Sequence, residues 1–192
     1  MGRYIANLLP LYAVLAIIGI EEMAGWIRTL RAPSLFARFR AMTLFLALLN
    51  AGAVLPYAAI QYGWMVENIN ATQVFMGHWI AENVPANAVI AINDVGAPTF
   101  WGNRKIIDTV GLTTPDIVPY LKRAGYTRDE NLLRYLQERR PEYLIIYPNW
   151  YPGLAARHDL FEPIYTHTYI GGRNVTLGGE VMIVYRCHWP LG

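Results

Sequence analysis

Two stretches near the start of the chain carry apolar residues with no charge among them. Tyr4 to Ile20 is 17 residues long, and Ala41 to Val66 is 26. A helix rises about 1.5 Å per residue and the hydrocarbon core of a bilayer is about 30 Å thick. The second stretch therefore spans with room for tilt, and the first sits at the short limit and needs anchors at its ends. Tyr4 and Trp26 flank the first, and Tyr57, Tyr62 and Trp64 lie near the exit of the second, where amphipathic rings favour the interface. The pattern predicts two membrane-spanning helices, at about residues 4–20 and 41–63, joined by a loop over 21–40. Two other readings compete for these stretches. Residues 1–20 could be a signal peptide, but Arg3 alone would form its basic region and Glu21-Glu22 follow where a small-residue cleavage site belongs. A buried helix of a soluble core is the other, and the length of the second stretch argues against it.

From Glu67 onward the period changes. Asn70 with Gln73 three residues later has the form of a capping box and predicts a helix that begins there and stops before Pro85, because a proline disfavours helical backbone in the residue before it. Ala88 to Asn93 is a short continuous apolar run, as in a strand buried on both faces. A brief segment, Ala97 to Trp101, leads to a turn at Gly102-Asn103. Lys105 to Val110 reads as a second strand, and Thr114-Pro115 as a helix start. Thr127 with Glu130 is the clearest capping box in the chain, followed by Leu132, Leu133 and Leu136 and closed by Pro141. Tyr143 to Tyr147 gives a third strand, and a short helix fits Leu154 to His158. Ile164 to Ile170 and Val181 to Tyr185 complete the strands, with Gly171-Gly172 and Gly178-Gly179 bracketing the loop between them. Strands alternating with helices predict an α/β fold. The expected architecture is two N-terminal transmembrane helices (residues 1–66) followed by a three-layer α/β domain (residues 67–192). Its sheet is expected to be mostly parallel, with an antiparallel C-terminal edge.

Charge sharpens this division. Only 16% of residues are charged, against about 25% in a typical soluble domain, and the deficit is local. Residues 1–66 hold seven charges, five of them basic: Arg3, Arg28, Arg31, Arg38 and Arg40, with Glu21 and Glu22. Four of the arginines fall between the two stretches, and basic residues stay on the cytoplasmic side. The loop is thus expected to be cytoplasmic and residues 67–192 extracytoplasmic. The stretch from Trp26 to Phe39 also has the make-up of an amphipathic segment that could lie on an anionic leaflet.

Several chemistries are excluded or unsupported. No clustered basic stripe is present, so nucleic acid is not an expected partner. The glycine patterns of nucleotide-binding loops are missing. The four histidines, His78, His158, His167 and His188, lack metal-ligand spacing, and no metal or cofactor is expected. Ser34 is the one serine and lies in the basic loop, which excludes a serine-hydrolase triad. Cys187, the single cysteine, stands beside an apolar run and reads as a buried, inert thiol. Asn70-Ala71-Thr72 and Asn174-Val175-Thr176 match the glycosylation acceptor pattern, which matters only where that machinery exists.

Ligands of open α/β sheets sit at the carboxyl ends of strands. Asp94 ends the first strand with Gly96 beside it, and Asp108 comes late in the second. Two such carboxylates could hold a sugar hydroxyl or a cation, or act as acid and base in an independent enzyme, or they could simply bond turn amides. Trp101, Trp150, Tyr147 and Tyr151 fall at expected loops, where aromatic rings could stack on sugars, dip into headgroups or pack internally.

Four stretches carry a resemblance. Glu67 to Asn70 (ENIN), Trp79 to Pro85 (WIAENVP), Ala91 to Ala97 (AINDVGA) and Ile107 to Leu112 (IDTVGL) resemble the extracytoplasmic C-terminal domain of bacterial GT-C type membrane glycosyltransferases. Those multi-span proteins are similar to the polyprenyl-phosphate-dependent mannosyltransferases. The likeness covers about residues 66–187 and, by position, the span before them. It implies a transferase that moves a sugar from a lipid-phosphate donor to an extracytoplasmic acceptor. It also implies a catalytic carboxylate in the first extracytoplasmic loop. In this chain the first stretch leads into the basic loop, and Glu21 and Glu22 fall on that side, so no residue takes the catalytic role. The expectation is an accessory domain in the bacterial inner membrane, multi-pass and inactive alone. Asp94, Gly96, Asp108, Trp101, Trp150 and Tyr151 are its candidate ligand contacts. Expected partners are the lipid bilayer, a polyprenyl-phosphate sugar or glycan acceptor, and the remaining transferase helices. The alternative is a membrane-tethered binding or assembly module with no enzymatic activity.

Overall fold

The computed structural model describes residues 9–29 and 33–190. The chain divides into two compact units, Met1–Ala59 and Ile60–Gly192. The start of the first expected span at Tyr4, with Arg3 and Arg31, lies outside the described residues, as do residues 191 and 192.

The first unit holds α1 (Leu9–Thr29) and the greater part of α2 (Pro33–Ile69). Most of the stretch expected as a loop is helical: α1 continues through Glu21 and Glu22, and α2 already begins at Pro33. Strong helix formers (Glu, Met, Ala, Leu, Arg) fill both segments, and a proline is well placed at a helix start. Arg28 lies over the Phe36 ring at 4.6 Å. Among the described residues one helix is long and apolar enough to cross a membrane, the continuous run Ser34–Asn83. Its side chains Leu44, Phe45, Leu48, Leu49 and Leu55 are all exposed, a surface that is apolar all round.

The second unit is a mixed α/β domain. After α2 the helix does not restart. It continues through a π-helical turn, Asn70–Val74, into α3 (Phe75–Asn83). The capping box expected at Asn70 and Gln73 is therefore not formed. A helix that never breaks has no free N–H groups to cap, and the π turn instead buries Thr72 and Gln73. α3 ends where Pro85 requires, with Val84 extended at φ −108° and ψ 132°.

β1 (Val89–Ile92), α4 (Gly96–Gly102) and β2 (Lys105–Asp108) follow. A 3-10 turn (Pro115–Ile117) and α5 (Val118–Leu121) occupy the expected third helix region. α6 (Arg128–Arg139) starts on the expected capping box: the Thr127 N–H donates to Glu130 Oε2 at 2.7 Å, and the Glu130 N–H donates to Thr127 Oγ1 at 3.2 Å. β3 (Tyr143–Ile146), α7 (Pro152–Ala155), β4 (Phe161–Thr168) and β5 (Val181–Cys187) complete the chain.

The five strands form one sheet in the order β2-β1-β3-β5-β4. β1 pairs in parallel with β2 and β3, whereas β5 pairs antiparallel with β3 and β4. The antiparallel region thus reaches β3, and the sheet is mixed where a mostly parallel one was expected. Strand side chains alternate between two cores. Ala91, Leu144, Ile146 and Tyr185 join Leu132, Tyr135 and Leu136 of α6. Ile90, Ile92, Ile145 and Val184 join Met76 and Ile80 of α3. These registers bring the carboxyl ends of β1, β2 and β3 to one edge of the sheet, together with the loop that joins β4 to β5.

Candidate functional site at the carboxyl edge

Asp94 lies two residues past β1, half-buried at this edge. Its carboxylate accepts a hydrogen bond from Gln73 Nε2 at 2.7 Å. Gln73 comes from the π turn and is 2% exposed. The same amide nitrogen reaches the Tyr147 hydroxyl at 3.4 Å, so Gln73 bridges the ends of β1 and β3. Gln73 Oε1 and the neighbouring Thr72 Oγ1 are buried without a hydrogen-bond partner. Burial, with the Asp94 charge second, holds the Tyr147 hydroxyl protonated well above the usual tyrosine range.

Tyr147 backs onto the β4–β5 loop. The space where Gly178 would carry a Cβ lies 2.8 Å from both the Tyr147 and the Trp150 ring, so only glycine fits there. Trp150 Nε1 donates to the Gly178 carbonyl at 2.7 Å, and Asn149 Nδ2 donates to it at 3.1 Å. An open cleft of about 630 Å3 adjoins this contact, lined by Asn149, Asn174, Gly178, Gly179 and Glu180 among others. No lysine or arginine lines it. Amides, backbone groups, one carboxylate and a nearby indole suit neutral hydroxyls better than phosphate, which calls for cationic donors.

The six residues singled out from the sequence separate into three groups. Asp94 and Trp150 belong to one arrangement through Gln73 and Tyr147, with the Tyr147 and Trp150 rings 6.1 Å apart. Asp108 and Tyr151 stand apart from it: Tyr151 packs in the core of α6, and Asp108 lies opposite Ile92 at the end of β2. The Asp108 carboxylate is fully buried and accepts from the Val110 and Thr113 N–H groups, both at 2.8 Å. Its own N–H donates to Thr114 Oγ1 at 2.9 Å. Asp108 thereby shapes the loop after β2, which is the turn-bonding role of its two sequence readings. Tyr151 is fully buried. Its hydroxyl lies 3.2 Å from Thr109 Oγ1 and accepts from Arg128 at 3.2 Å, and burial raises its pKa. Trp101 packs on α3, its ring 4.7 Å from His78. Gly96 is the exposed first residue of α4.

A second polar arrangement joins the end of α2 to the β4–β5 loop. Asn68, fully buried, donates through Nδ2 to the Tyr169 hydroxyl at 2.7 Å and to the Arg173 carbonyl at 2.8 Å. Its Oδ1 accepts from the Val175 N–H at 2.8 Å. The Tyr169 hydroxyl donates to Glu67 at 2.5 Å, and Arg173 lies 4.9 Å above the Trp64 ring. None of these partners has a local sequence signal, since Asn68 and Tyr169 are 101 residues apart.

Among the described residues no group of three or more His, Cys, Asp or Glu side chains is placed to hold a metal ion. The Cys187 thiol is pushed up to about 12 by burial, with Glu142 adding to the effect, which disfavours the reactive thiolate. No curated protein and no solved structure matches the chain. Residues 66–185, the α/β domain with the last turn of α2, match the family described as a domain of unknown function, DUF8728, and the chain belongs to that family.

Proposed function

We propose that this chain is a membrane-anchored binding domain that holds the sugar portion of a lipid-linked glycan or its acceptor at the carboxyl edge of the sheet. It would act as the accessory part of a lipid-linked-sugar glycosyltransferase and contribute no catalytic residue. The supporting observation is the arrangement around Asp94. A half-buried carboxylate is fixed by a buried amide, and Tyr147 links that amide to Gly178 at a cleft lined by two asparagines, one carboxylate and backbone groups, with no cation. Such groups pair with hydroxyls in several directions at once, and an indole suits the apolar face of a sugar ring. The sequence resemblance to the C-terminal domains of GT-C type transferases supports the same assignment, and its AINDVGA stretch contains Asp94.

The finer architecture belongs to this proposal: a second span at residues 4–20, helices covering both sheet faces as a three-layer domain, and an extracytoplasmic position for the domain at a bacterial inner membrane. Positive-inside asymmetry supports that orientation. The remaining transferase helices would be the protein partner.

The test uses the full chain in lipid nanodiscs. Short mannose oligosaccharides and polyprenyl-phosphate mannose in the disc serve as probes, with Trp150 emission as the readout and Trp150→Phe as the control. A saturable change that Asp94→Asn weakens is expected, with no sugar transfer by the chain alone. No saturable change with either probe would overturn the binding role, and transfer by the chain alone would overturn the accessory role.

A further inference from the structure

The end of α2 and the β4–β5 loop meet at a defined level. Ala41 to Val66 carries no charge, and Glu67 is the first charged residue after it. Glu67 accepts the hydrogen bond of Tyr169. The next residue in the chain, Ile170, is 93% exposed. An isoleucine presented almost entirely to solvent, on a loop tied by four hydrogen bonds to the foot of an apolar helix, is costly in water. Full burial of such a side chain is worth about 1.5–3 kcal/mol. Arg173, three residues on, is exposed beside Trp64, and among the described residues no carboxylate pairs with it. Tryptophan with arginine just outside an apolar span is the combination that suits the headgroup layer.

The surrounding edge fits the same plane. The loops 93–95, 109–114, 147–151 and 169–180 carry three charged residues, Asp94, Arg173 and Glu180. The charged start of α6, Arg128 to Glu130, lies at this end too, but on the side of the other core. That confines a membrane contact to the side of the β4–β5 loop.

We infer that the β4–β5 loop is a lipid-binding element: Ile170 inserts into the headgroup layer of the bilayer that α2 crosses, and the Arg173 guanidinium binds lipid phosphate. The loop then acts as a second point of attachment beside α2 and fixes the carboxyl edge toward the membrane. This seating depends on α2 crossing the bilayer, and does not depend on sugar binding.

The test uses the full chain in nanodiscs with an environment-sensitive fluorophore on Ile170→Cys. The unsubstituted chain, which keeps the half-buried Cys187, gives the background labelling. Gly172→Cys, where an added side chain meets open space, is a second reporter. Asp159→Cys, exposed at the opposite end of the sheet, is the control. Headgroup-region spin-labelled lipid is expected to quench the label at 170 and 172 but not at 159, with the reverse order for aqueous iodide. Arg173→Gln is expected to raise iodide quenching at 170, and no change would overturn the phosphate contact. Equal quenching at 170, 172 and 159 in chains that co-elute with the disc would overturn the insertion. Chains that do not co-elute with the disc would overturn both the insertion and the crossing by α2. Loss of oligosaccharide binding with quenching intact would touch the proposed sugar site alone.

Discussion

The contact between Asn68 and the β4–β5 loop makes a quantitative claim. Asn68→Ala deletes one acceptor and several donor bonds at a residue with no exposed surface. The Val175 N–H and the Arg173 carbonyl lose their side-chain partner. Leaving such groups unpaired in a part-buried site costs about 1–3 kcal/mol. At about 1.4 kcal/mol per tenfold, the loop should open roughly 5- to 150-fold more often. The loop itself need not unfold the sheet, because β4 and β5 stay paired from Thr168↔Val181 to Phe161↔Cys187. Hydrogen exchange followed by mass spectrometry on the full chain in nanodiscs reads this directly. Amides of the 169–180 segment should lose protection by that factor, with β1 and β3 unchanged. Tyr169→Phe removes only the hydroxyl, so it should leave the Val175 amide protected. Unchanged exchange at Val175 in Asn68→Ala would refute the claim that this side chain holds the loop.

Other outcomes follow from single contacts. Thr127→Ala removes half of the capping box of α6 and should lower stability by about 0.5–2 kcal/mol, read as a lower melting temperature with unchanged helix content at low temperature. Gly77→Ala would place a methyl 2.7 Å from Trp101 Cβ and 2.9 Å from the Ala97 carbonyl. Pushing α4 off α3 should cost about 1–3 kcal/mol and shift Trp101 emission, whereas an alanine accommodated at no cost would refute the close packing. Burial lowers the pKa of His167, whose ring stacks on Phe75 at 4.6 Å. The unfolded chain therefore takes up the proton first, so stability should hold above the ordinary imidazole pKa of about 6.5 and fall as pH drops through it, with the loss complete below the lowered folded value. His167→Gln should flatten that part of the pH–stability curve.

Elements set by neighbouring residues were legible in the sequence. Thr127 and Glu130 are three residues apart, and their capping box forms as read. The apolar runs at 88–93 and 143–147 become β1 and β3 because strands buried on both faces carry little else. The same local logic misled at Asn70 and Gln73, where the box pattern was present but the helix arrives unbroken from α2 and has nothing to cap. Gln73 is instead committed to Asp94, 21 residues away, and Tyr147, 74 away. Spacing cannot reveal such a bridge. Gly178 read only as the border of a loop, and its need for a missing side chain appears only once two rings close on it. Asp94 and Asp108 looked equivalent as carboxylates at strand ends. Their difference lies in the turns: the loop after β2 supplies two amides to Asp108, whereas Asp94 is met by a side chain from the π turn that follows α2.

The proposal stands or falls on which side of the membrane the α/β domain occupies. The full chain carrying Gly172→Cys, expressed in the inner membrane of intact bacterial cells made permeable only at the outer membrane, can be treated with a membrane-impermeant maleimide. Labelling at residue 172 before lysis, and no labelling of a cysteine placed at Arg38 until the membrane is broken, is the expected result. Labelling at Arg38 in intact cells, with residue 172 protected until lysis, would contradict it.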